Sequence, residues 1–201
     1  MEHVDEKIIK ALNAHKSGAQ GTIETGMYIR EERYEFGRIE LFEQKMSILL
    51  PTTFMDMPLE QARLKYPMEQ RPQIIKTNSA GDINFTFSLI DQNINNAQVK
   101  QIMQFFKNVL KMAQPTNVFH EENVEQIDDI TVGWFDYVSN GYDKKIFNLV
   151  YLLPIDGKLM HGIFNCAIDD AENWRAVALD VMRSITDISA QGGTVHAGFT
   201  H

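Results

Sequence analysis

The chain has 201 residues, enough for one domain with a sizeable hydrophobic core and too few for two comfortable ones. The formal net charge of −8 argues against nucleic acid or an anionic membrane surface as the main partner, because both require a basic footprint. The single cysteine, Cys166, permits no internal disulfide and favours a reducing compartment.

The first residues have the pattern of a short amphipathic helix, with apolar side chains recurring on one face between Val4 and Leu12. The glycine-containing stretch 17–21 ends it. The N-terminus is acidic where a signal peptide would be basic, and no apolar run approaches the roughly 20 residues of a membrane span. We therefore expect a cytoplasmic protein without membrane contact, in which residues 1–33 form an N-terminal helix and linker.

The strands of the domain are indicated by short apolar runs and by period-two alternation. Ile83, Phe85 and Phe87 alternate with polar residues, which is typical of a half-buried strand. A two-turn helix follows Pro58 and stops at Tyr66. Strands are predicted within 38–50 and at 73–77, 83–89, 117–126, 130–138, 145–153 and 158–166.

Two longer helices are predicted. The first is capped by Asn95 or Asn96 and ends near Ala113. Its apolar stripe, which includes Val109 and is widened by Phe105 and Met112, predicts a helix well buried against a sheet. The second has Asp169 as its expected N-cap and runs to about residue 188.

These elements define the expected fold class. Because consecutive strands are mostly joined by short turns, the sheet should be antiparallel. The sequence therefore predicts an α+β domain over residues 34–188, with a central antiparallel β-sheet flanked by helices in a three-layer α/β/α sandwich. Residues 189–201 have no pattern and are predicted to form a flexible tail.

No motif in the chain carries catalytic chemistry. The string at His120 resembles the start of a helical zinc motif, but position 124 is Val where a second histidine would be needed. His161 is in phase with Leu159 and Ile163, so a core-facing structural histidine is the simpler interpretation. We expect no enzyme, no cofactor and no metal. The alternative is a small-molecule-binding protein or hydrolase with a site near His161.

The loop over residues 65–72 is the least ordinary stretch. Two prolines stiffen a segment that carries Tyr66, Met68 and Arg71, residue types that anchor protein interfaces. These three residues are the candidate partner-binding residues. The competing interpretation is a plain connector, in which Tyr66 packs on the sheet and Arg71 pairs with a nearby acid.

A family resemblance rests on the order of the elements. The run 46–54 ends in Pro and Phe, and it is followed by the phased strands, the long central helix, the 157–166 strand and the helix around Trp174. Over residues 36–188 this order resembles the PsbP-like superfamily, which includes the bacterial DcrB-type domains. The resemblance implies a central antiparallel sheet with helices on its faces, and it brings no catalytic residues.

The resemblance also shapes the expected function. Known members include a photosystem subunit, a nuclear import factor that binds a small GTPase, and secretion adaptors that chaperone toxic effectors. We therefore expect a non-enzymatic protein-binding adaptor or chaperone linked to a bacterial secretion or effector system. Its partner would be another protein rather than nucleic acid or a membrane, and a homodimer is a further possibility.

Overall fold

Residues 21–67 and 71–190, the part of the chain that the computed structural model describes, contain thirteen strands and three α-helices. The predicted helix at the N-terminus, Met68 and most of the predicted tail lie outside the described residues. The helices are α1 (Leu59–Lys65), α2 (Val99–Ala113, after a 3₁₀ turn at Asn96–Gln98) and α3 (Ile168–Arg183). The strands are β1 (Gly21–Thr22), β2 (Gly26–Ile29), β3 (Glu32–Tyr34), β4 (Phe36–Leu41), β5 (Met46–Pro51), β6 (Met55–Asp56), β7 (Ile74–Thr77), β8 (Asn84–Asn93), β9 (Val118–Ile127), β10 (Ile130–Asn140), β11 (Lys145–Ile155), β12 (Lys158–Ala167) and β13 (Thr186–Asp187).

The main sheet has seven strands in the order β6-β7-β8-β12-β11-β10-β9, and all of its neighbouring strands are antiparallel. Two three-stranded sheets accompany it, with the orders β1-β2-β3 and β13-β5-β4. Turns of two residues join β9 to β10 and β11 to β12, as expected for antiparallel neighbours. The predicted α+β class with antiparallel sheets is confirmed.

Strand β11 lies near the centre of the main sheet and is apolar on both faces. Val150 and Leu152 belong to a core cluster that includes Val99 and Met103 of α2. The alternate residues of β11 belong to the larger cluster, which includes Trp174 of α3 and residues of β5. The two helices therefore pack on opposite faces of the sheet, as side-chain alternation along a strand requires. The three-layer α/β/α description stays a prediction, because β5 contributes to the same cluster as α3.

Residues 1–33 were assigned to a helix and linker from the sequence, but residues 21–34 form the β1-β2-β3 meander. Ile23, Met27 and Ile29 are buried in the larger core cluster. Tyr34 meets the Trp174 ring edge-on, with 5.2 Å between the ring centroids and 81° between the planes. The meander is therefore part of the hydrophobic core, which begins before residue 34.

The ends of α3 differ from the sequence prediction. The helix begins at Ile168, so Asp169 lies in its first turn and does not cap it. Asp170, also in the first turn, accepts a hydrogen bond from Arg30 on the β2–β3 turn. The helix ends at Arg183 instead of continuing to about residue 188, because Thr186–Asp187 forms strand β13 beside β5.

The edge strand β9 is held to helices on both faces of the sheet. A bulge places His120 and Glu121 opposite Asp136 of β10. The buried Asp136 carboxylate accepts hydrogen bonds from the Glu121 backbone N–H at 2.9 Å and from Arg175 Nε of α3 at 2.7 Å. On the opposite face Glu122 forms an ion pair with Lys107 of α2. Glu121 and Glu122, which follow His120, therefore have structural contacts at the edge of the sheet.

Gly162 of β12 pairs with Tyr151 of β11 across the centre of the main sheet. A Cβ atom at Gly162 would lie 2.0 Å from Cε2 of the Tyr151 ring. That ring is fully buried, and its hydroxyl has no hydrogen-bond partner in the described part of the chain. The ring occupies the space that a side chain at position 162 would need.

Replacing Gly162 with Ala should therefore destabilise the fold by about 1–3 kcal/mol, because a close-packed ring has little room to move. The free energy of unfolding from chemical denaturation measures this cost. Gly37→Ala is the control, since a Cβ there would meet Thr52 Cγ2 at 3.2 Å and nothing else nearby. Equal stability of the two variants would contradict the proposed ring packing.

Asp136→Ala should lower the free energy of unfolding by about 3 kcal/mol, because it removes a buried carboxylate and leaves Arg175 and the Glu121 N–H without that partner. The same denaturation experiment applies. Asp180→Ala is the matched control, since its ion pair with Arg183 is exposed and should contribute roughly 0–1 kcal/mol. A small loss for Asp136→Ala would show that Asp136 does not hold the sheet edge to α3.

Candidate binding groove

Helix α2 rests on strands β10 and β11 through its N-terminal half. In the 3₁₀ turn before it, Asn95 is the N-cap and its N–H donates a hydrogen bond to the Gln98 side chain at 3.0 Å; the N-cap of α2 itself is Gln98, so Asn95 caps the turn that leads into the helix. Val99 and Met103 are buried directly over Gly133 of β10, where a Cβ atom would lie 3.0 Å from Val99 Cγ1. The missing side chain lets this half of the helix approach the sheet closely.

The C-terminal half of α2 is much less buried. Phe105, Val109 and Met112 are 64%, 48% and 83% exposed. The prediction that the whole apolar stripe is buried against the sheet is therefore wrong. The stripe is too wide for one contact surface, because its residues extend around more of the helix than the sheet can cover.

A cavity of about 290 Å³ opens between this half of α2 and strands β10, β11 and β12. We call it the α2 groove. Nearly all of its lining is apolar, and His161 and Tyr137 are the residues in it that carry polar groups. The lining residues are Phe105, Phe106, Val109, Leu110, Ala113, Phe135, Tyr137, Val150, His161 and Ile163.

His161 lies on the floor of the α2 groove. Its ring centroid is 5.3 Å from that of Phe106. Burial among apolar groups lowers the pKa of His161 to about 4, so the imidazole is neutral at pH 7. Burial likewise raises the pKa of Tyr137 to about 12. The groove therefore holds two neutral hydrogen-bonding groups and no charged group at neutral pH.

Of the candidate partner-binding residues, the described part of the chain contains Tyr66 and Arg71. Tyr66 packs against a small cluster of Met57, Ala62 and Ile75, and its hydroxyl accepts a hydrogen bond from Asn165 Nδ2 at 3.1 Å. Burial raises the pKa of Tyr66.

Arg71 is half-buried and lines a separate cavity of about 290 Å³ over the same cluster. The structure thus brings Tyr66 and Arg71 to one small region outside the α2 groove. Their role in partner binding stays a prediction.

The sequence analysis missed the residues that make the α2 groove. Phe105, Val109 and Met112 were assigned to the buried stripe of the helix, and the excess width of that stripe was the available signal. His161 was identified, but the aromatic and aliphatic residues around it come from three distant segments. Within residues 21–67 and 71–190, no group of three or more His, Cys, Asp or Glu side chains could hold a metal ion, and no helix is long and apolar enough to span a membrane.

Comparisons with known proteins identify the fold. No family model matches the chain, and no curated protein matches its sequence. Its structure is similar to cyanobacterial PsbP (CyanoP) from Synechocystis, with 13% sequence identity and a TM-score of 0.56 over 76% of this chain and 92% of that one. The chain therefore has a PsbP-like fold.

Two further solved structures align less closely. LpqN from Mycobacterium tuberculosis, described as involved in cell envelope biogenesis, has 12% identity and a TM-score of 0.47 over 79% of this chain and 94% of that one. PA94 from Pseudomonas aeruginosa, a protein of unknown function, has 9% identity and a TM-score of 0.42 over 82% of this chain and 99% of that one. Neither of these names identifies a DcrB-type domain, so that finer assignment stays a prediction.

The buried imidazole of His161 gives a testable pH dependence of stability. Its ordinary pKa is 6.5 and its pKa in the fold is about 4, so the unfolded chain takes up the proton first as the pH falls. The contribution of His161 to stability is complete above pH 6.5 and is lost between about pH 6.5 and 4. The full loss at the lower end is up to about 3 kcal/mol.

His161→Phe should remove this dependence, since a phenyl ring binds no proton. The free energy of unfolding of the variant should fall less steeply than that of the wild type between pH 6.5 and 4. His120→Gln is the control, because His120 is exposed on the sheet edge. Parallel pH profiles for wild type and His161→Phe would show that the imidazole is not held in an apolar environment.

Proposed function

We propose that this protein is a non-enzymatic adaptor or chaperone that binds a segment of another protein in the α2 groove. The exposed apolar side chains beside the groove carry the proposal. A helix that exposes Phe105, Val109 and Met112 leaves a contiguous apolar surface in water, and such surfaces mark interaction sites in soluble proteins. Helix-lined grooves of this kind recur in peptide recognition.

The shape of the site supports a protein segment as the occupant. The groove is open along its length and is bordered by a helix, so an extended or helical segment could lie beside α2 and cover Phe105 and Val109. Phe105 and Met112 are large and flexible enough to adapt to a partner, and buried aromatic side chains contribute strongly to interface energies.

The alternative, a hydrolase or small-molecule site at His161, has less support. General acid–base catalysis needs a group with a pKa near the working pH and a partner to orient it. His161 has a pKa of about 4, and the other titratable group in the lining, Tyr137, has a pKa of about 12. Two groups so far from neutrality are poorly suited to proton transfer at pH 7.

The PsbP-like fold is compatible with this proposal, because the resemblance implies roles in binding and assembly. On the same ground we propose a bacterial secretion or effector system as the setting. The single cysteine supports the cytoplasm as the proposed location. We also keep Tyr66, Met68 and Arg71 as proposed contact residues; of these, Tyr66 and Arg71 lie outside the α2 groove.

Site-specific photocrosslinking in the native cell tests the groove directly. A photoreactive amino acid at Met112 should give a discrete adduct with one protein, because this position is 83% exposed at the edge of the groove. The same group at Tyr28 is the control, since Tyr28 is also a large hydrophobic residue and is 47% exposed, but lies on β2, whose buried residues belong to the core cluster on the α3 face. Mass spectrometry then identifies the protein and the crosslinked segment.

A second substitution connects the adduct to the groove. Val109→Lys should abolish the Met112 adduct and leave thermal stability within about 0.5 kcal/mol, because Val109 is half exposed. The proposal fails if no adduct forms at Met112, if Tyr28 gives the same adduct, or if Val109→Lys has no effect on it.

A further inference from the structure

The charges of this protein are unevenly distributed between its helices. Helices α1 and α2 together carry five basic side chains and one acidic side chain, whereas α3 carries four acidic and two basic ones. The chain as a whole has a net charge of −8. Helix α1 packs on Ile75 of β7. Ile75 pairs with Thr86 of β8, and Thr86 pairs with Ile163 of β12, which lines the α2 groove. Residues paired in this way have their side chains on the same face of the sheet. Helices α1 and α2 therefore lie on one face of the main sheet, and together they carry a net positive charge.

The ion pairs have the same uneven distribution. Away from these two helices, most arginines and lysines of the described chain lie within 4.0 Å of a carboxylate: Arg30, Arg33, Lys45, Lys76, Lys158, Arg175 and Arg183. Of the five basic residues on α1 and α2, Lys107 is the one with such a partner among the described residues. The other four basic residues of α1 and α2 have no carboxylate within 4.0 Å among the described residues, so they can interact with a bound partner.

Three of the available lysines converge at one end of the sheet. Lys111, in the last turn of α2, lies 5.1 Å above the ring of Phe119. Lys65, at the end of α1, donates to the Gly81 carbonyl at 2.9 Å. Lys144 lies in the turn between β10 and β11.

The strand pairings place these three lysines at the same end. Asn140 pairs with Lys145, Ile146 with Ala167, and Asn165 with Asn84, so the turn at Lys144 and the start of β8 are at one edge of the molecule. Burial lowers the pKa of Lys65, the nearby Asp82 carboxylate partly offsets this effect, and Lys144 is close enough to lower the pKa further. We call Lys65, Lys111 and Lys144 the lysine end. One end of the α2 groove lies near Lys111, because Leu110 and Ala113, which line the groove, flank Lys111 in α2.

We infer that the segment bound in the α2 groove is apolar and carries acidic residues that face the lysine end. This inference rests on the proposed function and adds the chemistry of the partner. Apolar side chains of the segment would cover Phe105 and Val109. Its carboxylates would meet lysines that have no carboxylate within 4.0 Å in the described chain; Asp82 and Glu122 act on Lys65 and Lys111 from a longer distance. Complementary charge of this kind fixes the direction of a bound segment and raises the rate of association.

Other occupants fit these observations less well. A second copy of the chain would bring the same positively charged helices against this face in a symmetric dimer, and the like charges would repel. The phosphates of a nucleic acid could contact the lysines, but they would leave the apolar side chains of Val109 and Met112 exposed to water. A flat bilayer surface would not reach His161 and Ile163 on the floor of the groove. These occupants are outcomes of the test.

The test selects peptides from a displayed library of random sequences on the full-length wild-type protein at low ionic strength. Selected peptides should be apolar and enriched in Asp and Glu toward one end. A labelled selected peptide is then titrated into the Lys111→Glu/Lys144→Glu variant, which should bind roughly tenfold or more weakly by fluorescence anisotropy. Lys100→Glu is the matched control, because Lys100 lies at the opposite end of α2, and it should change affinity less than about twofold.

Each outcome separates the two proposals. Apolar peptides without acidic enrichment, or peptides unaffected by the double variant, would overturn the inference and leave the proposed function standing. Peptides whose binding survives Val109→Lys, or a selection that yields no binders, would overturn both. Tighter binding of anionic phosphatidylglycerol vesicles or of a double-stranded DNA fragment than of the peptides would also overturn the inference.

Discussion

Strand β11 is apolar on both faces, and neither face can be left in water without a large loss of hydrophobic free energy. Its residues alternate between two core clusters, so each face needs its own cover. Helix α3, strand β5 and the β1–β3 meander contribute to one cluster, and α2 contributes to the other. The other six strands of the main sheet lie on either side of β11. The arrangement of the whole domain follows from the need to cover this strand twice.

The two covers are not equally complete. On one face Trp174 of α3 contacts aromatic residues from several elements, and the ring at Tyr151 fills the space over Gly162. On the other face the fifteen-residue helix α2 is seated over Gly133, α1 packs on Ile75 of β7, and β12 is left partly uncovered. The α2 groove is the uncovered part, and His161 lies on its floor.

Electrostatics differ between the faces in the same way. Arg175 and Arg183 of α3 are used within the fold, where they hold the edge strand β9 through Asp136 and Glu125. On the face with α1 and α2, the basic residues of the helices mostly have no carboxylate within 4.0 Å in the described chain. Apolar surface and available positive charge therefore occur together, and their combination distinguishes the α2 groove from the rest of an acidic molecule.

Much of the local structure was predictable from the sequence. Proline and glycine positions, period-two alternation and the Asn95 cap are local signals, and they located α1, the start of α2 and the long strands of the main sheet. The bulge at His120 and Glu121 and the early end of α3 could not be predicted. Each depends on a neighbour that is distant in sequence, Asp136 in one case and strand β5 in the other.

The sequence by itself determined the α+β class, the antiparallel strands and the PsbP-like order of elements, because these depend on residues close together in the chain. Only the tertiary structure decided which part of the α2 stripe is buried, that His161 lies beneath Phe106, and that Lys65, Lys111 and Lys144 share one end of the sheet. The physical reason is that a helix of one composition can be covered fully or in part. The extent of its burial is set by the width of the sheet beneath it and by a glycine on another strand.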